Sequence, residues 1–278
     1  FLTIFFRLFK FNIKIIWGIR GLYNPPKGLF NNIIIHSNLV FSKIIPDLII
    51  ANSKEGKDSF VRKGMQQNKI KVIWNGVDTK EFNSNLNFRK FYRNKMKYGN
   101  DQIIIGMVGR LHIDKNIDGF ISAAKKTFEI NSKCRFLIVG DGDVHLKNEL
   151  NQMILDLNLN DIVKIVPPSD EISKVYNGMD IITSVSKTEG LQNSLLEAMA
   201  CNKYCVASDV GDSKFILNEK SLLFSPYNDV DALIKSWLKV IELMNSRVIY
   251  EGRNHILKNF SIDLLVKKHE HCFQNLTN

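Results

Sequence analysis

The chain has 278 residues, enough for one large domain or two small ones, and its 45% hydrophobic and 24% charged residues exclude intrinsic disorder, collagen-like repeats and a polytopic membrane protein. Lysine and arginine (38) outnumber aspartate and glutamate (28), and the formal net charge of +10 favours phosphates, nucleic acid or an acidic membrane surface as partners. The four cysteines form no CxxC pair and lack histidines at zinc-finger spacing, which predicts reduced thiols in a cytosolic protein.

The first 19 residues are strongly apolar but carry Arg7, Lys10 and Lys14. These charges argue against a spanning helix, and no small-residue cleavage site follows that would indicate a signal peptide. A core strand with its flanks is favoured over a basic, aromatic edge that faces a membrane. Because the chain begins with Phe1, we expect that it starts inside a longer protein.

Short apolar runs in the first hundred residues predict three strands with helices between them. Three strands are few for an independent doubly wound sheet, so we expect the N-terminal domain to be incomplete. A turn signal at 75–78 and the polar stretch 79–87 predict a linker after this domain. The predicted strands are 13–17, 48–51 and 71–74, and the predicted helices are 31–43 and 54–63.

From about residue 100 onward, short apolar runs alternate with amphipathic stretches. Unalternating strands between helices are typical of a parallel sheet covered on both faces, and right-handed crossovers make it a doubly wound Rossmann-like sheet. We therefore predict an α/β protein with an N-terminal domain over 1–82, a C-terminal domain over 83–260, and a helix within 261–278 as a candidate addition to the first domain. The predicted strands are 103–108, 135–139, 162–166, 180–185, 204–207 and 221–224, and the predicted helices include 117–128, 144–157 and 194–200.

Ligands of open parallel sheets bind beyond the carboxyl ends of the strands, so the loops that follow strands are the candidate sites. The loop Gly109–Asn116 follows the strand 103–108 and holds two cations, Arg110 and Lys115. An arginine fork, a lysine point charge and the dipole of the next helix suit a phosphate or diphosphate. Two solvated surface cations explain the same spacing equally well.

The two later loops offer different groups. The loop Gly140–Asp143 has neither a GxGxxG fingerprint nor the lysine of a P-loop, and it predicts a tight turn with Asp143 capping the next helix. The loop after 180–185 presents Glu189, the N–H groups of a helix start, and Glu197 one turn further on. These groups fit a ligand with sugar hydroxyls and phosphate oxygens, and a capped helix with two exposed glutamates fits the same pattern.

This last loop resembles a known family motif. The string EGLQNSLLEAMAC at Glu189–Cys201 is similar to the glutamate–seven residues–glutamate motif of retaining GT-B glycosyltransferases, family GT4. Further segments that resemble motifs of this family follow in the same order as in the family, over roughly residues 45–245. The resemblance implies the GT-B fold, with two Rossmann-like doubly wound domains of which the N-terminal one is incomplete. The other matching segments are Ala51–Ser53 at a strand end, Ile73–Asp78 with Trp74 in place of a proline, Gly109–Lys115, and Asp209–Asp212.

The resemblance implies a site for a nucleotide diphosphate sugar that needs no metal and no cofactor, because cationic side chains and a helix dipole stabilise the charge. Arg110 and Lys115 would neutralise the diphosphate and the leaving nucleotide. Glu197 would bond the ribose hydroxyls, and Glu189 would hold the donor sugar near its reacting carbon. The other implied donor contacts are the amides of Gly190, Leu191 and Gln192 at the sugar, Asn193 and Ser194 by the diphosphate, and Pro168 near the base through its backbone.

Two positions depart from the family pattern. Asn116 replaces a usual glycine after Lys115, which is a mild change because asparagine tolerates unusual backbone angles. The Gly-rich first loop of the N-terminal domain is absent, and Trp17–Arg20 stands where many relatives have a strand end with a histidine. A subset of polysaccharide-building members has Trp and Arg in this loop, so Arg20 is a candidate contact for donor or acceptor.

The resemblance implies a retaining hexosyltransferase that moves a sugar from its nucleotide donor to a hydroxyl of a glycan or lipid-linked glycan in cell-surface polysaccharide biosynthesis. The basic charge adds an anionic membrane as a partner and favours a cytoplasmic enzyme on the inner face of the plasma membrane. The alternatives are a nucleotide-sugar-binding fragment without turnover and a GT-B sugar-nucleotide epimerase. Nucleic acid is not expected as a partner, because the sequence has no helix-turn-helix, RRM or zinc pattern.

Overall fold

The computed structural model describes residues 13–24, 28–217, 222–224, 226–246 and 250–277. The apolar stretch before residue 13 lies outside the described residues, and so does Ser221, the first residue of the predicted strand 221–224. The first sheet is parallel, with the strand order β1-β2-β3. Strand β1 begins at Ile16 rather than Ile13, because the Ile15 N–H donates to the Asp47 carboxylate instead of a neighbouring strand. The elements are β1 (Ile16–Ile19), α1 (Leu29–Phe41), β2 (Leu48–Ala51), α2 (Lys54–Val61) and β3 (Ile70–Val72).

The second sheet has six strands, and every pairing between them is parallel. Its order, β6-β5-β4-β7-β8-β9, is the 3-2-1-4-5-6 order of doubly wound folds, so the order reverses between β4 and β7. The predicted Rossmann-like sheet is confirmed. Its strands are β4 (Ile103–Val108), β5 (Cys134–Val139), β6 (Val163–Val166), β7 (Ile181–Ser184), β8 (Tyr204–Ser208) and β9 (Leu222–Phe224).

Helices connect these strands and follow the last of them. The segment interpreted as a linker ends inside α3, a helix that the hydrophobic pattern did not predict. The helices are α3 (Leu86–Met96), α4 (Ile117–Ile130), α5 (Val144–Asp156), α6 (Ile172–Gly178), α7 (Asn193–Ala200), α8 (Ser213–Ile216), α9 (Val230–Asn245), α10 (Gly252–Asn259) and α11 (Ile262–Thr277).

The core of the second sheet is centred on Trp237 of α9, which is fully buried. Its ring lies 5.2 Å from that of Phe120 on α4 and 5.5 Å from that of Phe136 on β5, measured between centroids. The indole N–H donates to the Thr183 hydroxyl at 2.8 Å, so the polar end of this large side chain also has a partner inside the core. The aromatic cluster therefore joins two helices to the middle of the sheet.

All four cysteines are reduced and buried. Burial raises the pKa of the Cys134 and Cys201 thiols to about 11, and it raises the pKa of the Cys205 thiol as well. These three residues pack around the second sheet, whereas Cys272 of α11 packs against Ile50 and Ile73. The prediction of reduced thiols is confirmed.

Contacts divide the chain into two units. The first contains the described residues up to Gly76, the segment Glu189–Leu191 and the helix α11, and the second contains 77–188 and 192–261. Val77 and Ser261 form an isolated bridge, in which the Val77 N–H donates to the Phe260 carbonyl at 2.8 Å. The domain boundary predicted after residue 82 stays a prediction.

Helix α3 is attached to the second sheet by a buried arginine. The Arg93 side chain is only 3% exposed and bonds Asp180 at 2.5 Å, just before β7. Its guanidinium also donates to the carbonyls of Gly178, Gly99 and Gln102. Each of these carbonyls gains a donor from a guanidinium that is itself buried, so one side chain bonds a carboxylate and three carbonyls at once.

We expect Arg93→Leu to destabilise the fold by about 1.5–3 kcal/mol, because it removes the Arg93 donor from the Asp180 carboxylate and from three carbonyls, while Arg89 and the Ile104 N–H still bond Asp180. Urea unfolding followed by circular dichroism measures the change. The matched control is Lys126→Ala, which breaks the exposed pair between Lys126 of α4 and Asp231 of α9 and should cost about 0.5 kcal/mol or less. Equal unfolding midpoints for the two variants would contradict the assigned role of Arg93.

Candidate functional site

The loops after β4 and β7 flank the point where the strand order of the second sheet reverses. Ligands of doubly wound sheets bind in the crevice at such a point. The two loops touch directly, because the Lys187 N–H donates to the Asp114 carbonyl at 2.7 Å. The first loop carries Arg110 and Lys115, and Lys115 directly follows Asp114, the residue that contacts the second loop.

Arg110 and Lys115 differ in their surroundings. The Arg110 side chain is exposed, and no hydrogen bond or ion pair to it is found in the part of the chain that the structure describes. Lys115 is half-buried, and its Cε lies 4.0 Å from the position that a Cβ on Gly109 would take. The lysine therefore folds back towards the end of β4. A short 3₁₀ turn at Ile113–Lys115 supports this arrangement, capped by His112 Nδ1, which accepts from the Asp114 N–H.

Asn116 has a φ of 47°, in the left-handed region. The expectation that asparagine tolerates unusual backbone angles at this position is confirmed. Its side-chain amide donates to the Tyr227 carbonyl at 3.1 Å and lies over Gly119, where an added Cβ would come within 2.5 Å of it. Asn116 thus lies between the loop and α4, where its backbone is in the left-handed region and its side-chain amide is hydrogen-bonded.

The loop Gly140–Asp143 supports the first loop from the side of β5. A Cβ on Gly140 would lie 1.8 Å from the Gly109 carbonyl oxygen, and one on Gly142 would lie 2.1 Å from that of Leu111. The predicted cap is confirmed, since Asp143 accepts from the Leu146 N–H at 3.0 Å. The glycines serve a different purpose from the expected tight turn: they let two backbones approach closely and align the Leu111 N–H with the Asp141 carbonyl at 2.9 Å.

Residues 189–191 belong to the first unit by their contacts. Glu189 is half-buried, and the Cβ position of Gly190 lies 3.0 Å from the Ser53 hydroxyl oxygen. That hydroxyl caps α2 by accepting from the Gly56 N–H. The strand end at Ala51–Ser53, one of the family-like segments, thus meets the segment that contains Glu189.

The start of α7 is held by a buried glutamine. Gln192 is 3% exposed; its Nε2 donates to the Ser184 hydroxyl at 3.2 Å, and its Oε1 accepts from the Ser213 hydroxyl at 2.6 Å. The backbone N–H groups of Gln192 and Ser194 have no acceptor among the described residues, as expected at a helix start. The sequence indicated the Gln192 amide as a ligand contact but not the structural role of its side chain.

Glu197 lies one turn into α7 and is not the exposed glutamate that a plain surface helix would have. Its Oε2 accepts from the Tyr176 hydroxyl on α6 at 2.7 Å. Burial raises the pKa of the Glu197 carboxyl, the nearby Glu81 adds to this effect, and the Tyr176 hydrogen bond opposes it. Tyr176 was not found by sequence reasoning, because no motif or spacing relates it to Glu197.

The remaining predicted contacts lie at other strand ends. Pro168 is exposed in the loop after the edge strand β6, and Asn193 is exposed at the first position of α7. Arg20 is exposed directly after β1 and belongs to the first unit. Their roles, like those of Arg110, Lys115, Glu189 and the neighbouring residues, stay predictions.

The residues that the structure describes contain no cluster of three or more His, Cys, Asp or Glu side chains that suits a metal ion. Within the same residues, no helix has the length and apolar character needed to cross a bilayer.

The sequence pattern of the family described as glycosyl transferases group 1 matches residues 102–243, about half of the chain. The chain is 29% identical over 205 residues to the UDP-Gal:alpha-D-GlcNAc-diphosphoundecaprenol alpha-1,3-galactosyltransferase of Escherichia coli, covering 72% of this chain and 52% of that protein. It is 26% identical over 210 residues to the poly(ribitol-phosphate) alpha-N-acetylglucosaminyltransferase of Staphylococcus aureus, covering 73% and 41%. The chain spans about half the length of the curated relatives it matches.

Two solved structures share the fold. One is the Anabaena protein HepE in complex with UDP and glucose, with a TM-score of 0.82, 19% identity, and coverage of 94% of this chain and 71% of that chain. The other is a glycosyltransferase from Rickettsia africae, with a TM-score of 0.82, 20% identity, and coverage of 96% and 72%. These likenesses confirm the predicted GT-B fold class.

We expect Gly140→Ala to destabilise the second unit by about 1–3 kcal/mol, since the new methyl group must push the loop Gly140–Asp143 away from the Gly109 carbonyl. Gly21→Ala is the matched control: a Cβ there meets no atom within 4 Å, and the backbone is not in the left-handed region. Thermal unfolding of both variants measures the difference. If the Gly140→Ala and Gly21→Ala proteins had the same melting temperature, the two loops would not depend on this close approach.

Proposed function

This chain belongs to the glycosyl transferases group 1 family, and we propose that it transfers a sugar from a nucleotide diphosphate sugar to a hydroxyl group of a glycan or lipid-linked glycan. The observation that supports the proposal is the direct hydrogen bond between the loops after β4 and β7, which joins the loop that carries Arg110 and Lys115 to the segment that leads towards α7. A site of this kind combines positive charge with backbone N–H donors, as a diphosphate requires.

Arg110 and Lys115 stabilise the negative charge that develops on the nucleoside diphosphate as it leaves the sugar. An arginine fork bonds two oxygens at once and a lysine adds a point charge, so the pair lowers the barrier to bond cleavage through electrostatics. The N–H groups at the start of α7 bond the same oxygens, and the helix dipole adds to the effect. This chemistry is carried by the chain's own residues.

The two glutamates act on the hydroxyl-rich ends of the donor. Glu197 accepts hydrogen bonds from the ribose, and Glu189 does so from the transferred sugar, since carboxylates are strong acceptors for hydroxyl groups. Departure of the diphosphate and attack of the acceptor hydroxyl on the same face of the sugar would retain the anomeric configuration. Arg20 is a further proposed contact to the donor or the acceptor. Pro168 is a further proposed contact to the base.

The acceptor class is proposed from the relatives. The E. coli protein is named for a diphosphoundecaprenol-linked acceptor and the S. aureus protein for poly(ribitol-phosphate), both of which are anionic polymers or carriers. The net charge of +10 suits such acceptors and an anionic membrane surface. We therefore place the enzyme in cell-surface polysaccharide synthesis, at the cytoplasmic face of the membrane.

Nucleoside diphosphates should raise the melting temperature of the protein. At about 100 times the dissociation constant, a ligand of the native state stabilises by about 2.7 kcal/mol. Lys115→Ala should remove most of this shift, because it removes a charge from the diphosphate. Glu189→Ala should keep the shift and lose transfer of sugar, because it acts on the sugar and not on the nucleotide.

Lys126→Ala, an exposed lysine on α4, is the control for a general loss of positive charge, and it should shift like the parent. UDP, GDP and ADP are tested in parallel, with transfer followed by release of the nucleoside diphosphate from the corresponding sugar donors. If Lys115→Ala and Glu189→Ala both shift like the parent, the roles assigned to these loops are wrong. Binding without any transfer would favour a nucleotide-sugar-binding fragment.

We also expect the protein to float with vesicles that contain phosphatidylglycerol and to stay behind with pure phosphatidylcholine. Binding through charge is screened by salt, so the association should be lost at about 0.5 M NaCl. A flotation gradient measures the bound fraction. Equal flotation with both lipids, or no flotation at low salt, would remove the membrane from the proposed function.

A further inference from the structure

We propose that Tyr176 is a positioning residue for Glu197: the Tyr176 hydroxyl holds the Glu197 carboxylate in the orientation in which it bonds ribose hydroxyls. This inference rests on the function proposed above and adds a residue to its nucleotide site. Tyr176 lies on α6, outside every segment that resembles the family motifs.

The geometry of this pair is rigid. Tyr176 is fully buried, and its ring packs edge-on against Phe82 with 6.1 Å between centroids. Its hydroxyl donates to Glu197 Oε2 at 2.7 Å, and no other hydrogen bond of this hydroxyl is found within the described residues. A buried tyrosine hydroxyl needs a partner, and here that partner is a carboxylate that the sequence motif assigns to a ligand.

The hydrogen bond also favours the charged form of Glu197, against the effect of burial. Burial and the Glu81 carboxylate raise the pKa of Glu197, and the Tyr176 hydroxyl lowers it. The pKa of Tyr176 itself is raised well above its usual value, first by burial and then by Glu197, so the phenol remains a donor at every physiological pH. The Cys201 and Cys205 thiols that face Tyr176 have raised pKa values and stay neutral.

A carboxylate that binds a ribose must be ionised and must present its remaining lone pairs in a fixed direction. Tyr176 occupies one acceptor position of Oε2, which leaves Oε1 and the second position of Oε2 for hydroxyl groups. Without this bond, Glu197 can rotate about its own torsions and takes up a proton more readily. Both effects weaken contacts to ribose hydroxyls and leave contacts to the diphosphate unchanged.

The test is Tyr176→Phe, which removes only the hydroxyl and keeps the ring against Phe82. Binding of UDP, GDP and ADP and of their 2′-deoxy forms is measured by calorimetry at a series of pH values from neutral to mildly acidic, because burial raises the pKa of the Glu197 carboxyl. The parent should prefer the ribose form at every pH. In Tyr176→Phe this preference should fall about tenfold, and affinity for the ribose form should decrease further as the pH falls, because protonated Glu197 donates where it must accept.

Two further variants make the result specific. Tyr98→Phe removes another buried tyrosine hydroxyl, one with no hydrogen-bond partner among the residues that the structure describes, and should bind like the parent. Glu197→Gln keeps an oxygen that can accept from Tyr176 but removes the charge, so it should lose the ribose preference without gaining a pH dependence. Adding Tyr176→Phe to Glu197→Gln should then change the preference little.

If Tyr176→Phe lost affinity equally for the nucleoside diphosphates and their 2′-deoxy forms, the role of Tyr176 would be structural only, and the inference would be overturned. A Tyr176→Phe protein with the preference and pH profile of the parent would also overturn it. If the parent binds nucleoside diphosphates and Lys115→Ala does not, such a result removes the role of Tyr176 alone. If the parent binds none of them, the proposed function falls together with it.

Discussion

Close backbone packing at the carboxyl ends of β4, β5 and β7 is the constraint on which the candidate site depends. The loop Gly109–Asn116 is bonded to the loop after β5 through Leu111 and to the loop after β7 through Lys187. Its cations are therefore carried by a backbone that is already ordered before any ligand arrives. Less ordering on binding means that less of the interaction energy is lost to conformational entropy.

Around the start of α7 lies a set of polar groups that are buried and hydrogen-bonded in pairs and small networks. Gln192 joins Ser184 and Ser213, and Tyr176 joins Glu197. Fully satisfied networks of this kind fix the directions of their members, because any rotation leaves a buried donor or acceptor without a partner. The precision of the site thus comes from residues that need not touch a substrate.

The strands of the second sheet were predictable because a strand buried on both faces carries an uninterrupted apolar run, as in Ile103–Val108. Helix α3 was not, because its buried residues are Tyr92 and Arg93, which form no apolar stripe that a sequence pattern would reveal. For the site, motif spacing located the loops and Asp143 as a cap. It could not reveal that Gly140 serves a close approach, or that Tyr176 meets Glu197, since both depend on segments brought together only by the fold.

The four buried thiols have a practical consequence for studying this molecule. A thiol reacts as its thiolate and only when a reagent can reach it, so these cysteines become modifiable only when the surrounding structure opens. Cys272 reports on the packing of α11 against Ile50 and Ile73, whereas Cys134 and Cys205 report on the six-stranded sheet. The native sequence therefore contains its own labels for comparing how often each unit opens, without an introduced probe.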